Sequence, residues 1–298
     1  MSAGVAIPPA PPAGAPAPLV PPGAAAAFAL AAASLWHREV IRFFRQPARV
    51  IGALGVPVLF WFVIGSGLGE SFRPAPGAAG AATDAAGGYL RYFFPGSLLL
   101  SCLFTAIFST ISIIEDRTGG FLQGVLVSPA PRGAVVAGKM LGAATIATLQ
   151  GLLFALAAPA AGYTVDPATG FRLLGALFLV SFALAGLGSA LAWRCATSQG
   201  YHALMNLLLM PLWLLSGALF PAEGARGWMR VLMAADPLAP MLSLLRAALG
   251  DAPASGIARG TFSLPFSPVV SDIAAVAAFA AAMYLLSWWS ACRTKNPS

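Results

Sequence analysis

Charge is what this sequence most lacks. Only 9% of its 298 residues are Asp, Glu, Lys or Arg, while 58% are hydrophobic; soluble globular chains carry roughly 25% charged residues. A fully water-exposed surface is excluded, and the chain is read as a membrane protein. Cysteine is scarce as well: Cys102, Cys195 and Cys292 are odd in number and sit at no metal-ligand spacing, which argues against a disulfide framework or a zinc site. The two histidines, His37 and His202, stand alone. No nucleophile with a base, no metal set and no paired carboxylates occur at a workable spacing, so a membrane-embedded enzyme is the weakest reading. The formal net charge of +7 would suit nucleic acid in a soluble chain; in a membrane chain its distribution counts for more, and no nucleic-acid partner is expected.

Charge is absent altogether from residues 1–33, which are built around "PPAPPAGAPAPLVPPG". A secretory signal would begin with basic residues. The segment reads as a disordered or polyproline-like tail, followed by one membrane domain over 34–298.

Long apolar runs are present in quantity. A helix crossing a hydrocarbon core needs about 20 apolar residues, and six stretches qualify, near 50–69, 92–114, 140–162, 171–193, 203–220 and 273–291. The short alternating segments of an outer-membrane barrel are missing. The expected fold is all-α, with six transmembrane helices. With both termini in the cytoplasm, the inner side holds ten basic and three acidic residues, and the outer side seven of each. The basic excess favours that orientation, in a bacterial inner membrane.

No charged residue lies near the middle of any expected span; Lys139, Arg172, Arg194 and Asp272 stand at the ends. Ion-driven carriers commonly place such residues inside, which weakens the reading as a channel or ion-coupled carrier. Gln150, Asn206, Ser101, Thr105, Ser109 and Ser181 either hydrogen-bond between helices or line a route for cargo.

Before the first span stands "SLWHREVIRFFRQPARV". On a helical wheel Trp36, Val40, Phe43 and Phe44 share one arc, while Arg38, Arg42, Arg45 and Arg49 share the opposite one. Such a helix is expected to lie along the membrane surface with its guanidinium groups among lipid phosphates; a plain basic flank is the alternative. Pro47 ends or bends it.

Between the second and third runs comes "EDRTGGFLQGVLVSPAPRGAVVAGKM", residues 115–140, where charge suddenly gathers. Gly119 and Gly120 allow a sharp turn, and Pro129 and Pro131 stop the chain from continuing as helix. What remains is one short helix with Phe121, Leu122, Val125 and Leu126 at one-face spacing. Apolar side chains projecting into the cytoplasm call for a covering partner. "GAVVAGKM" at 133–140 nearly matches a phosphate-binding loop, but Met140 replaces the hydroxyl residue that binds magnesium and no strand precedes it. The chain has no ATPase site of its own.

These residues resemble the type-two ABC exporter permeases, bacterial six-span subunits that pair with a separate ATPase. The resemblance rests on the cluster Glu115 to Gly120, on "LVSPAPR" at 126–132 and "GKMLG" at 138–142, and on "PLWLLSGALFP" at 211–221 with "ADPLAPMLSLLRAAL" at 235–249. It spans about residues 34–292. Many members carry an acid beside the loop glycine, where this chain has Gly119.

The resemblance implies a coupling helix within 115–128 that sits in a cleft of an ATP-binding cassette ATPase. Glu115, Asp116 and Arg117 would anchor it, Gly119 and Gly120 turn it, Phe121, Leu122, Val125 and Leu126 fill the cleft, and Pro129 and Pro131 fix its exit. Trp36, Arg38, Arg42, Phe43, Phe44 and Arg45 would form the membrane elbow. It further implies a homodimer or a related heterodimer, with ATP and Mg held by the partner subunit and none in this chain. Short re-entrant helices are implied between the last two spans, where 221–249 is too broken by Pro237 and Pro240 to cross. The acid-free spans suit an amphipathic or hydrophobic cargo such as a drug or lipid.

Overall fold

The computed structural model describes residues 23–45, 47–67, 85–127, 130–220, 227–251 and 267–293. Every regular element among these residues is a helix, with no strand among them.

Helix α1 (Ala24–Phe44) begins ten residues before the expected start. The run "AAAAFALAAA" explains it, because alanine is the best helix former. Residues 24–33 are therefore not tail, while residues 1–22 fall outside the described part. Ala32, Leu35, Glu39 and Phe43 make the buried stripe of α1, which packs along α6 (Arg132–Ala155). Two glycines permit that approach. A Cβ at Gly138 would stand 2.6 Å from the Ala32 carbonyl oxygen, and one at Gly142 would stand 2.6 Å from Glu39 Cβ. Helix α6 also starts earlier than expected, at Arg132, since Pro131 leads directly into an Ala/Val-rich run.

Helix α2 (Pro47–Gly67) lies against the central helix α3 (Ala85–Ser109). The inner layer of α3 is aromatic and aliphatic, including Phe93, Phe94, Leu98, Leu99, Leu103 and Ile107, all fully buried. At Ser109 the helical bonding tightens: the Thr110 and Ile111 amides donate three residues back, to Ile107 (3.0 Å) and Phe108 (3.2 Å). The chain then continues as α4 (Ser112–Thr118) and α5 (Phe121–Val127).

After α6 and a short tight turn at Ala158–Ala161, α7 (Pro167–Ala192) opens on Asp166, whose carboxylate accepts from the Thr169 amide at 3.0 Å. An acidic cap followed by proline is a strong helix start. Helix α8 (Ser198–Leu215) buries Tyr201, Met205, Leu209 and Trp213, one every fourth residue. Trp213 Nε1 donates to the Gly96 carbonyl of α3 at 2.9 Å. Helices α9 (Gly227–Ala235) and α10 (Leu238–Ala248) form a pair bent by 79°. Helix α11 (Pro268–Arg293) packs on α7 and α10 and leaves Ile273, Leu285, Trp288 and Trp289 exposed.

Four helical stretches among the described residues are long and apolar enough to cross a membrane: Gly88–Thr118, Arg132–Ala155, Pro167–Ala192 and Pro268–Arg293; the bent pair makes a fifth if it counts as one broken span. Six were expected. The apolar part of α2 is counted only over Gly55–Gly67, and α8 is diluted by Ser198, Gln199, His202 and Asn206 in its first half.

Several expected hydrogen bonds between helices are not made. Ser101 and Thr105 are buried with hydroxyls that find no partner among the described residues, Ser109 bonds back to its own helix, and Asn206 is exposed. The bridging is done by aromatic residues instead. Tyr201 of α8 shares a 2.7 Å hydrogen bond with Thr110 and donates to the Ile107 carbonyl at 3.0 Å, at the point where α3 breaks.

Candidate functional site

The break after α3 turns α4 toward α1 and α6, and six charged side chains meet there. Asp116 accepts from Arg38 Nη1 and Nη2 at 2.8 Å each and from Arg42 Nη1 at 3.1 Å. Arg42 also donates to Glu115 at 2.6 Å. From α6, Lys139 Nζ donates to Asp116, to Glu39 at 2.6 Å and to Ser112 at 3.3 Å. Arg38 completes the set with a 3.1 Å contact to Glu39. Three cations thus face three carboxylates, and the cluster is neutral. Its centre is dry: Lys139 and Asp116 are each 3% exposed. Buried charge is tolerated only when paired and hydrogen-bonded in this way. The hydrogen bond to Asp116 outweighs desolvation and raises the Arg38 guanidinium above its ordinary pKa.

Two of the elbow arginines have partners within the chain. Arg38 and Arg42 point at carboxylates of the same chain, leaving Arg45 as the exposed arginine of the described elbow side chains. The aromatic arc divides as well. Phe43 is buried, Phe44 and Trp36 are exposed, and Trp36 Nε1 donates to Thr145 Oγ1 of α6 at 3.0 Å.

Gly120 makes the turn into α5 with φ +76°, in the left-handed region that glycine enters without strain. Gly119, at φ −80°, needs no such freedom. Arg117 reaches away from the acids and donates to the Ala192 carbonyl at the end of α7 at 2.7 Å.

On α5 the four apolar residues do not share one outward face. Leu122 is 2% exposed and belongs to the chain's own core, and Val125 packs partly against that core. Phe121 is 40% exposed, its ring lying 3.8 Å beneath the Arg38 guanidinium carbon. Gln123 and Gly124 are exposed beside it. The Leu126 side chain and Pro129 fall outside the described residues. Pro131 is exposed and precedes α6, its carbonyl accepting from the Ala134 amide at 2.8 Å.

The arrangement is a short surface helix on a rigid ionic base. Among the described residues no group of three or more His, Cys, Asp or Glu could hold a metal ion.

The sequence model of the ABC-2 type transporters matches residues 31–249. The chain belongs to that family. Nodulation protein J of Rhizobium leguminosarum bv. viciae is 26% identical over 75% of this chain and 84% of its own length. Transport permease ycf38 of Cyanophora paradoxa is 25% identical over 71% of each. The multidrug ABC transporter permease YbhR of Escherichia coli K12 is 26% identical over 50% of this chain and 41% of its own length. The ABC-2 chain is thus a multi-pass membrane subunit of an ABC transporter.

Two members of the charged cluster were not marked as site residues from the sequence, Glu39 and Lys139, the latter being placed only at the end of a span. A signal for Glu39 was present: Leu35, Glu39 and Phe43 recur every four residues, which puts the acid on the buried stripe of α1. For Lys139 the signal was its place between Gly138 and Gly142, where a neighbouring helix comes closest.

Proposed function

We propose that this permease forms one half of an ATP-driven exporter in a bacterial inner membrane, and that α5 docks into a separate ATP-binding cassette subunit. Six spans cross the bilayer, α2 and α8 being the two beyond the long apolar helices, and both termini are cytoplasmic. Two copies, or this chain with a related one, build the translocation path. ATP and Mg are held by the partner, and chemistry is confined to it. Closure of the two ATPase subunits moves α5, and the ionic base carries that motion into α1, α3 and α6.

One observation supports this reading above the others. Phe121, Gln123 and Gly124 form an exposed surface on α5, while Asp116 and Lys139 beneath are fixed by ion pairs. A helix with a free face and an immobile root is built to be pushed. At the opposite end α10 is fastened by Arg246 to the Gly217 carbonyl (3.0 Å) and by Ser243 to Asp272 (2.6 Å), which suits the bent pair to close the exit. The cargo is an amphipathic or hydrophobic molecule; one relative carries "multidrug" in its name.

The test is purification from the host's own membranes, with mass spectrometry of what accompanies the permease. A P-loop ATPase is expected to co-purify with wild type and to be lost in Phe121→Asp, which itself remains folded. Leu122→Asp is expected to lower folding yield instead, since Leu122 is buried. Absence of an ATPase under conditions that keep other complexes intact would overturn the docking role and move attention to ion-driven flux.

A further inference from the structure

Away from the ionic base, a second set of cations gathers with no acid paired to it among the described residues. Arg132 at the start of α6 donates from Nη1 to the Ala291 (3.1 Å) and Cys292 (3.0 Å) carbonyls, so it sits on the last turn of α11. Arg293 ends that helix, with its guanidinium carbon 3.7 Å from the Trp289 ring centroid. Arg194, just past the end of α7, lies 5.9 Å from the same ring. All three arginines are exposed. Arg194 and Arg293 make no ion pair among the described residues; both lie against one indole. Beside them Trp288 is exposed, with its Nε1 against Gly133 of α6.

Part of this is ordinary helix chemistry, since cations are favoured at helix C-termini. That accounts for Arg132, which caps the carbonyls of α11. It also favours Arg293, in the last turn of α11, and Arg194, just past α7, but it does not account for their convergence on one ring, where no acid among the described residues offsets their mutual repulsion. The surroundings indicate what would. α7 and α11 are both of membrane-crossing length, so their shared end stands at the membrane boundary. The outer face of α11 is apolar and exposed at Leu285 and Trp288. Tryptophan beside arginine at that depth is the pattern of the headgroup zone, with the ring at the acyl boundary and the guanidinium groups toward phosphate. Anionic lipid is favoured by roughly fivefold per basic residue at the surface. Arg38 and Arg42, the residues the sequence suggested for this duty, are engaged by carboxylates.

We propose that Arg194, Arg293 and Trp289 form a binding site for the headgroup of one anionic phospholipid, at the corner where α6, α7 and α11 meet. The site lies on the same side of the membrane as α4 and α5, because Arg117 of α4 bonds to the end of α7. This goes beyond the docking reading, and its deciding readout is lipid preference.

The experiment reconstitutes the full chain in phosphatidylcholine vesicles and measures tryptophan quenching by chain-brominated phosphatidylglycerol or phosphatidylcholine at equal mole fraction. Wild type should prefer the anionic lipid by about thirtyfold, from two basic residues. R194Q/R293Q should lose that preference, and R194K/R293K should keep most of it. Equal quenching by both lipids in wild type overturns the proposal without any variant. So does a preference that survives in R194Q/R293Q. Displacement of the lipid by millimolar inorganic phosphate would make the site one for free phosphate and would also overturn it. If wild type shows no lipid preference but R194Q/R293Q weakens capture of an ATPase subunit, the patch belongs to a protein contact.

Discussion

At Lys139 the cost of burying a charge is met by two carboxylates from two other helices, Glu39 and Asp116. Removing the amine leaves both acids dry and short of a partner, so Lys139→Met should destabilise by about 3–5 kcal/mol, seen as an earlier unfolding transition in detergent. Pairing it with Glu39→Leu should recover part of that loss, because one orphaned acid disappears with its partner. Strict additivity of the two changes would mean that Glu39 and Lys139 do not act as a pair. Little of this was legible in the sequence. Asp116, Arg38 and Arg42 were each marked as functional, but the reading sent the arginines to lipid and the acid to a partner protein. Periodicity shows which residues share a helix face and not what that face meets, and the pairs that join α1 to α4 and α6 are separated by 73 to 100 residues along the chain.

Among the elements, those with a strong local signal came through. The membrane-length helices α6, α7 and α11, the Gly120 turn and the break at Pro237 could all be read from composition and punctuation. The start of α1 at Ala24 was missed because a proline-rich stretch lent its character to the alanines after it, although alanine itself favours helix. The outward face of α5 was misjudged for a different reason. Seven residues make two turns, too few for apolar spacing to separate a core-facing side from a partner-facing one. Where α1 meets α6, space rather than charge decides the contact. Gly142→Val would put side-chain atoms where Glu39 Cβ already stands, so α1 should lift from α6 and break the Trp36–Thr145 hydrogen bond. Limited proteolysis should then cut within 24–44 in Gly142→Val while wild type resists; equal resistance would show that the two helices have room to spare.

For the whole molecule, membership of the ABC-2 family leaves sidedness to be measured. Cys292 is exposed at the end of α11 and Cys102 is buried, so the native cysteines supply the probe. With Cys195 replaced by Ser, a membrane-impermeant maleimide should label Cys292 in inverted vesicles and not in intact cells. Labelling of intact cells would reverse the orientation and place α5 outside, where no ATPase works.

The union of Glu39 with Lys139 also has a bearing on how the chain is made. The lysine is synthesised 100 residues after the acid, so at roughly 5–20 residues per second about 5 to 20 s separate their appearance from the ribosome. During that interval Glu39 has no amine to meet, and the groove offered by Gly138 and Gly142 does not yet exist. Helix α1, though translated before every other described helix, can take its place only once α6 has been made. A nascent chain arrested before residue 139 should therefore carry an α1 still open to protease, and release of the arrest should close it.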